Sequence, residues 1–393
     1  MLWRVWIRFR NRSSFDFRKN RVQGLLVLDG TGANEALITR YIATMTGQDV
    51  SHFIGRDDLP GAMECAGERP PLRWFVFALG IAFSCIWKSD RQHRALGIPS
   101  VIELTLILEY ALKHEVTAVV DFAPYLIDSN LLFLLLKRHG VKVVKVPSSG
   151  PLKTHNHILL SDEVALSTPY HEYEADAFAN TFKVSKRLKW IPERALEYAS
   201  KYARTDGPRA PSRTLGFYSH GGWVRAAGDH SSDGLSIHAQ EEQLLKVLGQ
   251  WIQTHPDWTL VVFPHPREKA ASMLEKTMNY YGRFLSLDRV DLRLSDLPTS
   301  QQFEAADVGV AVFSTIVYER LFCGYKTRIF NTANTDFPAR GTDLDALCAR
   351  NADALTSSIE EAASRSPQAD FQACGVLGYR WDAFEDASWI SAE

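Results

Sequence analysis

Short apolar runs, closed off by glycine, proline or charge, alternate along this chain with longer stretches in which apolar residues return every three or four positions. The first rhythm predicts buried strands and the second amphipathic helices, so their alternation predicts an α/β architecture built on parallel sheets. Leu25–Asp29 (LLVLD) is such a run. It is followed by Gly30-Thr31-Gly32 and a helical pattern through Ala36, Leu37, Tyr41 and Ile42. This reads as the strand, tight turn and helix that open a Rossmann-like unit, although the third glycine of a dinucleotide fingerprint is missing. Val116–Phe122 predicts another strand, Ser129–His139 a leucine-rich helix closed by Gly140, and Val141–Val146 the next strand, with the loop Pro147-Ser148-Ser149-Gly150 at its end. ILL at 158–160 and VAL at 164–166 offer one or two more strands.

The segment Arg204–Arg213 combines proline, glycine, serine and charge without apolar period and reads as a linker. It divides the chain into an N-terminal domain, 1–203, and a C-terminal domain, 214–393. After the linker the strands are Thr214–Tyr218, Thr259–Phe263, Val290–Leu294, Val308–Phe313 and Thr327–Phe330. Helices are predicted over His238–Thr254, after Pro266, near Thr299–Ala306 and over Ile316–Cys323, with Ser219 to Ser236 as a glycine-bearing loop. The last part of the chain carries helical patterns able to cross back onto the first domain.

Composition narrows the class. A chain of 393 residues with 46% hydrophobic and 23% charged residues fits a two-domain globular enzyme. A net charge of −2 gives no basic field for nucleic acid. The five cysteines, Cys65, Cys85, Cys323, Cys348 and Cys374, include no CxxC pair, which fits a reducing cytoplasm better than a disulfide framework or a zinc site. No secretory signal is legible, and the apolar stretch Trp74–Trp87 is shorter than the ~20 residues a membrane span needs. Residues 1–12 (MLWRVWIRFRNR) interleave aromatics with arginines. They suit either a peripheral contact with an anionic membrane or a terminal strand or tail.

Three segments follow strands of the C-terminal half, where ligands gather in open α/β sheets. The first holds Ser219-His220-Gly221-Gly222 and Ser231-Ser232-Asp233-Gly234. Its glycines allow backbone N–H groups close to a ligand, and Asp233 offers a carboxylate; a surface turn is the alternative. The second is Pro264-His265-Pro266-Arg267-Glu268. His265, flanked by prolines, can donate to a phosphate and Arg267 can assist; the alternative is a half-buried structural histidine. The third is Phe313-Ser314-Thr315-Ile316-Val317-Tyr318-Glu319, in which Ser314 and Thr315 can cap a helix whose N-terminus is also an anion site.

In this order, Ser232-Asp233-Gly234, His265-Pro266 and Ser314-Thr315, the segments resemble those of bacterial CMP-sugar transferases, sialyltransferases among them. The stretch Phe313–Lys326 (FSTIVYERLFCGYK) is similar to the strand-to-helix segment of capsule and O-antigen transferases. The resemblance spans about residues 214–331 and is strongest to the retaining β-Kdo transferases, which take 3-deoxy-D-manno-oct-2-ulosonic acid (Kdo) from CMP-β-Kdo. It implies two Rossmann-like domains of the GT-B kind with a cleft between them, and a lipid-linked glycan acceptor on the N-terminal side. It also implies a donor site formed by Ser219, His220, Gly221, Gly222, Gly234, Pro266, Arg267, Ser314, Thr315 and Glu319, with Asp233 and His265 catalytic. The family carries an acid where Ser232 stands here. With no clear DxD metal motif, no metal and no other cofactor are expected. An inverting CMP-sialic acid transferase and a binding module without turnover stay open beside this reading.

Overall fold

The computed structural model describes residues 25–29, 54–55, 108, 111–112, 116–121, 127–146, 159–166, 168–177, 182–189, 213–226, 232–295 and 297–376. The Gly30-Thr31-Gly32 turn, residues 1–12, Trp74–Trp87 and most of the 204–213 linker lie outside them.

The N-terminal sheet contains β1 (Leu25–Asp29), β2 (Ile54–Gly55) and β3 (Ala118–Asp121), then helix α1 (Ile127–Lys137) and strands β4 (Lys142–Lys145) and β5 (Leu159–Leu166). Helix α2 (Pro169–Ala177) leads into β6 (Phe182–Lys189). All pairings are parallel and the order is β2-β1-β3-β4-β5-β6. Leu159-Leu160 and Val164–Leu166, from the two predicted apolar triplets, belong to one strand, β5, bridged by a polar centre whose Ser161 hydroxyl donates to the carbonyls of Val143 and Glu163 at 3.0 and 2.6 Å. Neither α2 nor β6 was expected from the pattern.

The C-terminal sheet begins with β7 (Thr214–Tyr218), followed by the one-turn helix α3 (Gly222–Ala226) and the long helix α4 (Ser232–Thr254). Then come β8 (Thr259–Phe263), α5 (Leu274–Gly282), β9 (Val290–Leu292) and β10 (Val308–Ala311). Helix α6 (Ile316–Phe322), β11 (Lys326–Phe330), the edge strand β12 (Cys348–Ala349), α7 (Ala352–Ser364) and α8 (Pro367–Cys374) complete it. Two differences from expectation affect the site. α4 starts at Ser232 and α3 covers Gly222–Ala226, so the described residues of the supposed loop 219–236 are mostly helical. Residues Thr299–Ala305 form a 3-10 helix rather than an α-helix. Helices α7 and α8 pack on β11 of the C-terminal sheet; the residues after 376, part of the stretch expected to cross back, lie outside the described residues.

The order β12-β11-β10-β7-β8-β9, all parallel, is that of a dinucleotide-binding sheet, in which the third, second and first strands lie on one side and the fourth, fifth and sixth on the other. Both faces are covered, as such sheets require. Leu215, Phe217, Val262, Val308 and Val310 face α4 and α7, while Tyr218, Phe263, Ala311 and Ile329 face α6 and the 3-10 helix. On the second face the guanidinium of Arg320 is fully buried beneath Tyr218, Phe303 and Tyr325 and donates to the carbonyls of Phe303, Ala306 and Lys326. Gly309 makes room for it, since a Cβ there would overlap Arg320 Nε.

Candidate functional site

The switch point of the C-terminal sheet lies between β7 and β10, whose following loops diverge to opposite faces and open a crevice at the strand ends. In register, Tyr218 pairs with Phe263 of β8 on one side and with Ala311 of β10 on the other. The three predicted segments therefore leave the sheet side by side. The His220 ring lies 6.4 Å from that of His265 and 5.2 Å from that of Phe313, edge to face in both cases. Phe313 in turn packs on Phe337 at 4.6 Å, and Phe337 meets Tyr170 of α2 at 5.4 Å. A row of rings thus runs from the N-terminal domain to the two histidines.

The His220 loop is held from beneath by Glu241, a buried carboxylate of α4. Its Oε1 accepts the N–H of His220 at 2.5 Å and the Ser219 hydroxyl at 3.4 Å, and its Oε2 accepts the N–H of Gly222 at 2.6 Å. The Gly221 N–H donates to Ser219 Oγ at 2.9 Å. This corrects the expected role of the glycines. The three consecutive N–H groups point inward, onto Glu241 and Ser219, so they do not form the ligand cradle read from the sequence. What the glycines supply is shape: Gly221 has φ +72°, and a Cβ there would stand 3.1 Å from the His265 ring.

His265 is anchored in a similar way. Its N–H donates to Glu268 Oε2 at 2.5 Å, while the Glu268 N–H donates to the His265 carbonyl at 2.8 Å. Glu268 is also buried and accepts from the Trp223 indole and, at 3.2 and 3.3 Å, from the Tyr281 hydroxyl. The Arg267 N–H donates to His265 Nδ1 at 3.2 Å. A ring whose Nδ1 accepts carries its proton on Nε2, which makes His265 a neutral donor in this conformation. Pro266 and Arg267 themselves are exposed.

Burial raises the pKa of both carboxylates. For Glu241 it does so against the opposing His220 N–H and with the help of the Glu268 charge, to about 7. For Glu268 the His265 N–H is the main opposing influence. Elsewhere burial pushes the Cys323 and Cys348 thiols up to about 12, which leaves neither as a thiolate nucleophile near neutrality.

At the third segment Ser314 does the capping, its Oγ accepting the Ile316 N–H at 3.3 Å. Thr315 occupies the N-cap position but makes no capping bond, and its hydroxyl turns to the buried Glu319 at 3.4 Å. The shared capping role expected for the pair therefore falls to Ser314 alone. Ser232, Asp233 and Gly234 form the first turn of α4, where an acidic residue complements the helix dipole. Their side chains lie outside the described part, so they are not placed with the histidines. Glu241, Trp223 and Tyr281 have no counterpart in the sequence reading, and Glu268 was noted only as part of its motif.

Another depression, of about 430 Å³, lies between α2 and residues 341–343. Glu172, Asp176 and Asp343 line it, a set of carboxylates that repels phosphate. Among the described residues no three His, Cys, Asp or Glu side chains gather closely enough to hold a metal, and no helix is long and apolar enough to cross a membrane.

No protein-family model matches the chain, and no curated protein matches it in sequence. Solved structures do match in fold. MnaA of S. aureus, solved with UDP, superposes with a TM-score of 0.51 at 12% identity, covering 93% of each chain. A UDP-N-acetylglucosamine 2-epimerase gives a TM-score of 0.50 at 10% identity over 94% of this chain and 93% of the other. The corresponding Neisseria meningitidis enzyme, bound to UDP-GlcNAc, gives 0.49 at 9% identity over 92% and 95%. The chain thus has the GT-B architecture of two Rossmann-like domains, each built on a parallel sheet.

Proposed function

We propose that this protein is a glycosyltransferase that binds the nucleotide of an activated sugar at the C-terminal switch point, and that its donor is CMP-Kdo. The observation that carries the nucleotide site is the convergence of His220, His265 and Ser314-Thr315 on the ends of three adjacent strands. The donor assignment rests on the resemblance of the motif order to the β-Kdo transferases.

In this reading His265 donates from Nε2 to the phosphate of the departing CMP, with the Ser314 and Thr315 hydroxyls and Arg267 nearby, and no metal takes part. Transfer passes through an oxocarbenium-like state, for which Asp233 supplies the carboxylate. As a nucleophile it gives retention by double displacement; as a general base it gives the inversion of a sialyltransferase. The acceptor is a bacterial surface glycan, lipid-linked and met on the N-terminal side. The enzyme works in the cytoplasm, with residues 1–12 resting on the inner membrane.

A second reading, action on a UDP-sugar, is favoured by the fold likeness to the UDP-bound MnaA structure. A donor panel of CMP-Kdo, CMP-sialic acid and UDP-GlcNAc, read by nucleotide release and by the anomeric configuration of any product, tests the assignment. CMP release from CMP-Kdo with a β-linked product is expected. Turnover of UDP-GlcNAc alone would replace the CMP reading, and CMP binding without donor consumption would make this a binding module.

A further inference from the structure

We propose that Glu241 is a positioning residue which, as a carboxylate, sets the His220 loop against His265. The role rests on the nucleotide site proposed above, but its geometry stands by itself. One carboxylate under the loop accepts two backbone N–H groups, from His220 at 2.5 Å and Gly222 at 2.6 Å, one on each oxygen. An ionised carboxylate is a full acceptor at both oxygens. The hydroxyl oxygen of the protonated acid is a much weaker acceptor, and the NH2 of glutamine cannot accept at all, so either change weakens or releases one of those N–H groups. The loop between the two anchors holds Gly221, which packs against the His265 ring, so releasing either anchor loosens the spacing of the two histidines.

Several titratable groups surround Glu241. Glu268 faces it from the turn after β8, and its charge opposes ionisation. Tyr280 and Tyr281 face it from α5, and burial keeps both of them neutral. His220 lies on the loop itself, and on α4 the neighbours are His238 and Glu242, which pair with each other at 3.7 Å; Arg283 lies 3.8 Å from Glu242. Burial among these groups brings the ionisation of Glu241 to about pH 7. The anchor is therefore complete on the alkaline side of neutrality and is lost as the pH falls.

The test compares wild type and Glu241→Gln by amide hydrogen-exchange protection at His220 and Gly222 and by CMP affinity, each from pH 5.5 to 8.5. In the wild type we expect protection at one or both amides, and CMP affinity, to fall about tenfold as the pH drops through 7. In E241Q both should be low and independent of pH. Protection and CMP affinity in E241Q equal to wild type, or a wild-type profile flat in pH, would overturn the proposal. If E241Q does not fold, the wild-type exchange profile decides. If the exchange profile behaves as expected and CMP does not bind, the nucleotide reading fails and the positioning role stands.

Discussion

His265 is fixed at two of its own atoms, the N–H by Glu268 and Nδ1 by the N–H of Arg267. A donor held this firmly needs little reorganisation when charge develops on a leaving phosphate. His265→Ala should lower turnover by ~10²–10³, the scale for one oriented donor. Steady-state kinetics with the preferred donor checks this, and unchanged constants would remove His265 from the site. Asp233→Asn should abolish transfer while leaving CMP affinity within a factor of about two, because the change keeps size and removes only charge. An active variant would place the working carboxylate elsewhere, and a Ser232→Asp protein more active than wild type would move it by one position. Glu241 adds a pH dependence of stability. Its folded pKa, about 7, lies above the ordinary 4.5, so the folded state binds this proton more tightly than the unfolded chain does. That contribution is fully present below about pH 4.5 and is lost as the pH rises through about 7. Thermal melts should therefore show E241Q gaining on the wild type between pH 5.5 and 8, by several degrees; a constant difference in Tm would contradict this. Global stability and order in the His220 loop then move in opposite directions with pH.

Among the elements, α6 depends on its first turn, since it spans only Ile316–Phe322 and Ser314 supplies its cap. Replacing Ser314 and Thr315 with alanine should cost ~1 kcal/mol of stability through the lost cap. CMP affinity, measured by calorimetry, should fall by more than that. A variant that melts lower yet binds CMP normally would reduce the pair to capping. The elements also show what could be read in advance. β7 and β8 have the predicted limits because each is an uninterrupted apolar run ended by polar residues or proline. α2 escaped because His171 and Glu174 share its buried side with Tyr170 and Ala175, which breaks the apolar period. β6 escaped because FKVSKRLK is an edge strand of its sheet, and the exposed Lys183, Lys186 and Arg187 read as loop. Asp233-Gly234 carries a turn signal but begins a helix of 23 residues, whose packing outweighs one local preference. The strand-end positions of His220, His265 and Ser314 were legible from the strands themselves. Glu241 and Glu268 were not, because in sequence a buried carboxylate looks like any solvated charge on a helix or turn.

For the whole molecule, the strand order of the C-terminal sheet puts the candidate nucleotide site in one crevice, while the acidic depression by α2 is a separate place. With His265, Arg267 and the two hydroxyls to meet the phosphate, transfer should survive chelation. Activity lost in EDTA and restored by magnesium or manganese would overturn that expectation. The two domains also meet close to this crevice. Tyr170 of α2 lies edge-on to Phe337, Phe337 rests on Phe313, and Phe313 rests on His220. Tyr173 fills the place where a side chain on Gly341 would be. Drawing α2 away from this loop would leave Phe337 with Phe313 and Tyr318 but without Tyr170, and the space would have to be filled by another ring or by water. A movement of one domain thus reaches the His220 imidazole as a change of shape carried by touching surfaces. Such gearing has no range beyond contact, and neither salt nor a surface charge would disengage it.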